Sequence, residues 1–430
     1  MTVKIYKLAN VFGTSREVPK TYVERQGVDD RFLNDITRDK HLVIHGSSKQ
    51  GKTCLRKHHL NEQDYIVVQC TRETTKSKLY EMLLKQADIQ CEVGRTNTVN
   101  GGCKLQVKVG GEGKIPFVAK ATTEAGGEYE HQTTQTAETR EFEIDPEDSN
   151  DIARVLKNAS FSKYIVIEDF HYLDEDVQMS FAIDLKVFHE NSKLIFIVVG
   201  VWLEANRLTL YNGDLSGRLA IINADRWDES DLSKVISVGE QLLNVAFSDE
   251  VRKAIVNGCQ SNVGLLQEVV YRICEKYKVW QTQEKKREVG TVNDVDIMLK
   301  VVSEEQASRY RNFLSRFAEG LGQTQLEIYK WVLYAVINST SYELRRGVRP
   351  NVLFQRIKAV HPSNTLQQMN ILQALDRVQK VQFNHKLQPL VLDYSNGELL
   401  VVDVNFIVFL QTHTKEELLE YVGLEVSAVE

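Results

Sequence analysis

His41-Leu42-Val43-Ile44-His45-Gly46-Ser47-Ser48-Lys49-Gln50-Gly51-Lys52-Thr53 decides how this chain is read. Its first five residues form a short apolar run of the kind that makes a buried parallel strand. The next eight carry the spacing Gly-x4-Gly-Lys-Thr, the Walker A pattern of a phosphate-binding loop. Glycines let successive backbone N–H groups turn inward around a β-phosphate, and the N-terminus of the helix opening at Gly51-Lys52-Thr53 adds a favourable dipole. Lys52 is expected to reach the β- and γ-phosphates, and the Thr53 hydroxyl to ligate Mg²⁺. The expected ligand is a nucleoside triphosphate, ATP, on Gly46, Ser47, Ser48, Lys49, Gln50, Gly51, Lys52 and Thr53, with Cys54 following.

Working outward, 430 residues exceed one ordinary core and point to two or three domains. Hydrophobic content of 42% and charged content of 26% are those of a soluble globular protein. The apolar runs are short, as at Leu194–Trp202, so no membrane span is expected. The N-terminus has no apolar stretch that would serve as a secretion signal. Six scattered cysteines, with no Cys-x-x-Cys pair, read as reduced thiols of a cytoplasmic protein. A net charge of −6 argues against a chain built throughout for nucleic acid, leaving room for a local basic face.

The elements around the first strand alternate. Val28–Ile36 has helical spacing, Tyr65–Gln69 reads as a second strand and Lys76–Ala87 as a helix. After a helix near Asn150–Asn158 come a strand at Tyr164–Ile167, a helix at Val177–Phe188, and strands at Leu194–Val199 and Arg218–Asn223. This is the rhythm of an α/β fold on a parallel sheet. Residues 98–144 interrupt it with alternating stretches and Gly-Gly turns, read as an inserted antiparallel β arm. The expected division is an N-terminal segment at 1–40, a core at 41–228, a helical lid at 229–280, a connecting helix at 291–325 and a C-terminal domain at 326–430. Gln281–Gly290 is the expected boundary, and Asp294–Ala318 reads as one long helix capped by Asp294.

Tyr164-Ile165-Val166-Ile167-Glu168-Asp169 has the form of a Walker B strand, four apolar residues ending in two carboxylates. Such a strand end brings a carboxylate to Mg²⁺ and a second to the attacking water. Register assigns Glu168 to the metal and Asp169 to the water. The usual order is Asp then Glu, and the shorter Asp169 reaches less far, so hydrolysis is expected to be slow. His171 reads as a hydrogen-bonding support beside this pair.

Walker A, Walker B, helical lid and C-terminal helices with a hairpin, in this order, resemble AAA+ ATPases of the origin-recognition-like branch and the related STAND signalling ATPases. The resemblance implies a P-loop NTPase core in which a segment ahead of the first strand, here Tyr22 and Val23, packs on adenine. It also implies a polar sensor at the end of Leu194–Val199, where Gly200-Val201-Trp202 stands instead. Arg218, just before the fifth strand, resembles an arginine finger acting on a neighbouring subunit of a homo-oligomer, and equally an arginine paired with Asp214. The lid position where the family often has a sensor arginine offers Gln267 and Glu268.

Helices at Leu326–Ile337, Val352–Ala359 and Leu366–Val378, then strands at Gln388–Leu392 and Leu399–Val402 around Asn396-Gly397, read as a winged helix-turn-helix. Nine Lys or Arg against five acids over Leu326–Leu400 make it basic. Arg345, Arg346, Arg349, Arg356 and Lys358 suit phosphate contacts with DNA, though winged helices also dock proteins. The 98–144 insertion is a candidate surface for a protein partner.

Overall fold

The computed structural model describes residues 4–15, 17–92, 105–109, 140–202, 207–322, 325–387 and 389–424. Its centre is a five-stranded sheet of β1 (His41–His45), β2 (Tyr65–Gln69), β6 (Tyr164–Glu168), β7 (Phe196–Gly200) and β8 (Leu219–Asn223). All pairings are parallel and the spatial order is β2-β6-β7-β1-β8. β1 and β7 are buried along their whole lengths, which is why they read as continuous apolar runs rather than alternating ones. The helices Asp29–Ile36, Lys52–His59, Lys76–Gln86, Ser149–Asn158 and Glu175–Asn191 complete the α/β unit. Because all five strands run the same way, the loops after β1, β6, β7 and β8 gather along one edge, the usual place for a ligand crevice.

The insertion contributes β3 (Gln90–Glu92), β4 (Leu105–Val109) and β5 (Arg140–Ile144), an antiparallel sheet in the order β3-β4-β5. Val107 and Ile144 are buried and join the core of the main sheet. The alternating pattern thus packs the base of the arm. Residues 93–104 and 110–139, which hold most of the expected partner surface, lie outside the described residues.

The lid helices Glu229–Leu243, Asp249–Gly258 and Val263–Lys276 share a core with Leu8, Val11 and Phe12 of the N-terminal segment. Between the first two lies β9 (Val245–Ala246), parallel to β10 (Arg287–Glu288). The purely helical reading of the lid is corrected by this small sheet, and the polar stretch around Lys285 is tied into it.

The single helix read over Asp294–Ala318 is two helices, Val292–Glu304 and Ala307–Glu319. Thr291 is the N-cap, and Asp294 is the third residue of a capping box with it. The break falls where packing changes sides: Val295, Leu299 and Val302 join the lid core, whereas Tyr310, Phe313 and Phe317 join the C-terminal core.

The C-terminal part contains helices Ile328–Ile337, Ser341–Arg346, Pro350–Lys358, Gln368–Leu375 and Val378–Asn384. An antiparallel hairpin follows, β11 (Leu392–Ser395) and β12 (Glu398–Val401), and then helices Val404–Thr412 and Lys415–Val422. Two expectations shift here. The helix read over Leu366–Val378 begins only at Gln368, because extended Gln367 caps it, and it breaks at Asp376-Arg377. The first hairpin strand starts at Leu392, since Gln382 Oε1 takes the Val391 and Leu392 N–H groups at 2.8 and 3.1 Å. Among the described residues no helix is long and apolar enough to cross a membrane.

Candidate functional site

The P-loop connects the buried end of β1 to the helix Lys52–His59. Gly46 has φ +141°, and a Cβ there would meet Asp225 Oδ1 at 2.8 Å, so only glycine fits the turn. Lys49 and Gly51 also take positive φ. The Lys52 Nζ donates to the carbonyl oxygens of Gly46 and Ser47 at 3.0 and 2.5 Å. Burial pulls its pKa down, and the nearby carboxylates of Asp225, Glu168 and Asp169 pull it back. The Thr53 side chain is exposed at the mouth, and Ser48 is partly exposed at the loop's crest.

Asp225 is a central residue that the sequence reading missed. It follows β8, the strand paired with β1, and its carboxylate accepts from Ser47 N at 2.7 and 3.0 Å and from Ser47 Oγ at 3.0 Å. Burial pushes its pKa up, against the charge of Lys52 and the Ser47 hydrogen bonds. It anchors the leading end of the loop and places a second carboxylate source beside Lys52. The signal for it was topological: a carboxylate two residues past a strand adjoining β1 must emerge beside Gly46.

Glu168 ends β6 and accepts from Arg56 Nη2 at 3.1 Å in a buried ion pair. Burial raises its pKa and Arg56 opposes that rise. Asp169 follows in the left-handed conformation (φ 56°) and accepts a hydrogen bond from Gln69 Nε2. Its pKa is also raised, by burial, with Gln69 and Lys52 acting against. Lys52, Glu168, Asp169 and Asp225 thus form one electrostatic cluster. Thr53, Glu168 and Asp169 supply the oxygen donors that a Mg²⁺ would take, and at Glu168 it would compete with Arg56. His171 Nδ1 accepts from Val201 N at 3.2 Å, tying the exits of β6 and β7 together. Burial, then the charges of Lys52 and Arg207, lower its pKa to about 3.

A cavity of about 240 Å³ opens beside the loop. Gln50, Lys52 and Cys54 line it from the P-loop, Tyr22 and Arg25 from the N-terminal segment, and Trp227 and Gln267 from the β8 exit and the lid. Arg25 lies over the Trp227 ring at 4.1 Å and donates to Ala224 O at 2.8 Å, clamping the segment to the β8 exit. Tyr22 stacks on His58 with ring centroids 4.2 Å apart, and its hydroxyl is given to Asp29. Val23 packs against the lid core instead of lining the cavity. The lid closes tightly: Gly264 N donates to Lys49 O at 3.2 Å, and a Cβ on Gly264 would meet Lys49 Cβ at 2.6 Å.

Arg218 stands apart. β1 and β8 are parallel, with His41 opposite Leu219 and His45 opposite Asn223. Arg218 therefore sits at the end of the sheet opposite its own P-loop. Its guanidinium binds Glu190 at 2.8 Å and the Asp214 carbonyl, while the Asp214 carboxylate pairs with Lys186 at 2.5 Å. The C-terminal cationic residues are also spoken for in part. Arg356 pairs with Glu343 at 2.5 Å and Arg349 with Glu398 at 3.4 Å, Arg346 lies over Tyr342, and Lys358 over Phe354. Arg345 differs, because its charge acts on Asp225 beside the P-loop.

No family model matches this chain, and no curated protein matches its sequence. Among solved structures, a Walker-type ATPase of Pyrococcus abyssi is 12% identical, covers 93% of this chain and 99% of its own, and superposes with a TM-score of 0.55. The Orc1 protein of Aeropyrum pernix, solved with DNA, is 10% identical over 97% of this chain and 96% of its own, with a TM-score of 0.44. Cdc6p of Pyrobaculum aerophilum is 11% identical over 95% and 97%, with a TM-score of 0.37. The last two superpose too loosely to carry an argument. At 12% identity the first speaks for the fold: this chain has the parallel-sheet P-loop fold of the Walker-type ATPases.

Proposed function

We propose that the chain is an ATP-binding, slowly hydrolysing ATPase whose nucleotide state is passed to its C-terminal module. The observation that carries this reading is the convergence of Lys52, Glu168, Asp169 and Asp225 beside an open cavity at the carboxyl edge of the sheet. Lys52 already spans the loop through two carbonyl oxygens, and a phosphate offers it stronger, charged acceptors. Asp169 is the group to orient a water, and Gln69 holds it. Mg²⁺, when bound, neutralises charge developing on the transferred phosphoryl group. Thr53 with Glu168 or Asp169 would hold it.

A mechanical route supports the switch. Gly264 rests on Lys49, the lid shares its core with Val292–Glu304, and Val408 of the C-terminal helix Val404–Thr412 packs into that same core. Thr412 Oγ1 also bonds Ser303 Oγ at 3.0 Å. A shift of the lid on nucleotide binding therefore has packed side chains to act through. Arg218 would serve only a neighbouring subunit, and only after leaving Glu190. A second reading, a winged helix over Ile328–Val401 that contacts DNA phosphates, draws on the basic charge of that stretch.

Titration with a fluorescent ATP analogue tests the main reading. Lys52→Ala should weaken binding by roughly 100-fold, since it removes a charged hydrogen-bond donor to the phosphates. Unchanged binding would remove Lys52 from the site. Sedimentation with and without ATP and Mg²⁺ tests assembly, and a monomer under both conditions sets Arg218 aside as a finger.

A further inference from the structure

Arg56 and Glu168 form a buried ion pair beside the P-loop. Arg56 lies one turn after Lys52 on the helix that the loop opens, so the two side chains share a face of it. It is 3% exposed, its Nη2 donates to Glu168 Oε1 at 3.1 Å, and its guanidinium lies over the Tyr65 ring at 4.4 Å. Its Nε and Nη1 are buried without a hydrogen-bond partner, and among the described residues Glu168 is its only ion-pair partner. Glu168, itself buried, is thereby turned onto the P-loop helix. Burial raises its pKa, and Arg56 opposes that rise more strongly than Lys52 does.

Asp169, the next residue, is placed differently. It is half-buried, takes a left-handed φ of 56° and accepts from Gln69 Nε2. Among the described residues it makes no ion pair. A metal taking Glu168 would strand the Arg56 guanidinium, and an unpaired buried charge costs far more than a pair left made. At Asp169 the same ion displaces no cation. Mg²⁺ keeps several of its waters and takes one or two carboxylates together with phosphate oxygens, so one acid suffices.

We propose that Arg56 is a positioning residue that keeps Glu168 off Mg²⁺, and that Asp169 is the carboxylate of the pair that serves the metal. This rests on the nucleotide-binding reading above and decides between the two acids which that reading left for the metal. It reverses the register expected from sequence, which assigns the metal to Glu168. Asp169 then has both to serve the metal and to orient the water. Two duties on one short side chain are a physical ground for slow turnover. By cancelling the Glu168 charge, Arg56 also leaves the incoming phosphates one negative group fewer to approach.

The test is binding of Mn²⁺, a paramagnetic stand-in for Mg²⁺, to the full chain saturated with a non-hydrolysable ATP analogue. Free Mn²⁺ is read from its spin-resonance signal, at mildly alkaline pH so that a freed Glu168 stays ionised. Asp169→Asn should weaken Mn²⁺ binding by about tenfold or more. Arg56→Met frees Glu168 and should tighten it by roughly fivefold, a gain that damage to the fold does not produce. Adding Glu168→Gln to that variant should cancel the gain. Arg56→Lys keeps the pair and should stay within about twofold of the wild type. An Arg56→Met chain that gains nothing, or an Asp169→Asn chain that loses nothing, overturns the inference. If the stranded Glu168 keeps Arg56→Met from folding, the double variant decides, since replacing both members of a buried pair is tolerated far better than removing one. It should bind Mn²⁺ about tenfold more tightly than Asp169→Asn does, and equal or weaker binding overturns the inference. If the wild type does not bind the ATP analogue, the nucleotide reading falls and this inference with it. Analogue binding with the variants in the wrong order sinks the assignment of the two acids alone.

Discussion

Around Phe406 the interior is apolar: Tyr310, Phe313 and Phe409 lie with ring centroids within 5.3, 5.2 and 6.2 Å of it, and Leu353, Ile371 and Leu399 extend the same core. Around Lys52 the interior is charged, with Glu168 and Arg56 buried and Asp225 half-buried. Unpartnered buried atoms of Arg25, His45, Gln50, Arg56, Gln178, Trp202 and Gln267 belong to the core and lid, and those of Arg311, Ser395, Asn405 and His413 to the C-terminal part. Apolar packing yields free energy in proportion to area removed from water, whereas each uncompensated polar group costs. The C-terminal module is therefore held chiefly by apolar packing, and the P-loop region carries more buried charge.

The largest expected effect separates the two. Phe406→Ala should destabilise the C-terminal module by about 3–5 kcal/mol through the lost side chain and its cavity, seen as an early transition in urea. Nucleotide affinity should hold below that transition. Loss of both together would mean that the regions form one cooperative unit.

Next comes Gly264→Ala. The added methyl must push the lid helix away from Lys49, with its Cβ at 2.6 Å and carbonyl oxygen at 2.8 Å. Overpacking of this kind costs about 1–3 kcal/mol. The melting temperature should fall with that cost, and if the lid closes on nucleotide, affinity should fall as well, by about tenfold. A melting temperature that falls while affinity stays would assign the contact to folding alone.

What the sequence made legible follows the same divide. β1, β2 and β6 could be read because the centre of a mostly buried parallel strand is a continuous apolar run, and the P-loop because its spacing is local. Asp225, Arg25 and Gln267 could not, since they reach the site from 178, 27 and 214 residues away from Ser47, Lys52 and Thr53 only through the sheet order and the lid. The helix over Asp294–Ala318 misled for a related reason: no Pro or Gly marks Glu305-Gln306, and the break comes from two cores claiming its halves. In the hairpin, Gln382 captures the N–H groups that would have extended the first strand, a contact invisible to alternation.

A smaller effect sharpens the electrostatic half of the contrast. Glu168, Asp169 and Asp225 all have carboxyl pKa values raised by burial. Between the ordinary and the raised values the folded chain holds protons that the unfolded chain has released. Stability should therefore fall as pH climbs from about 4 through the raised values. Asp225→Asn should make that fall shallower, read as the urea midpoint against pH, and an unchanged slope would place its ionisation elsewhere.

The smallest effect tests whether the two regions communicate by charge. Arg345 belongs to the short helix Ser341–Arg346 of the C-terminal part, yet its charge opposes the rise in the pKa of Asp225 at the P-loop. An exposed arginine acting across partly hydrated space contributes under about 1 kcal/mol. Arg345→Met should therefore weaken ATP binding by no more than about fivefold at low salt, and the difference should vanish near 1 M salt, where the screening length is about 3 Å. The same variant separates the two uses of this residue. If it loses affinity for duplex DNA and keeps its affinity for ATP, Arg345 belongs with Arg346 and Arg349 on a nucleic-acid face. A change in ATP affinity alone makes it an outlying part of the nucleotide site, supplied by the C-terminal module.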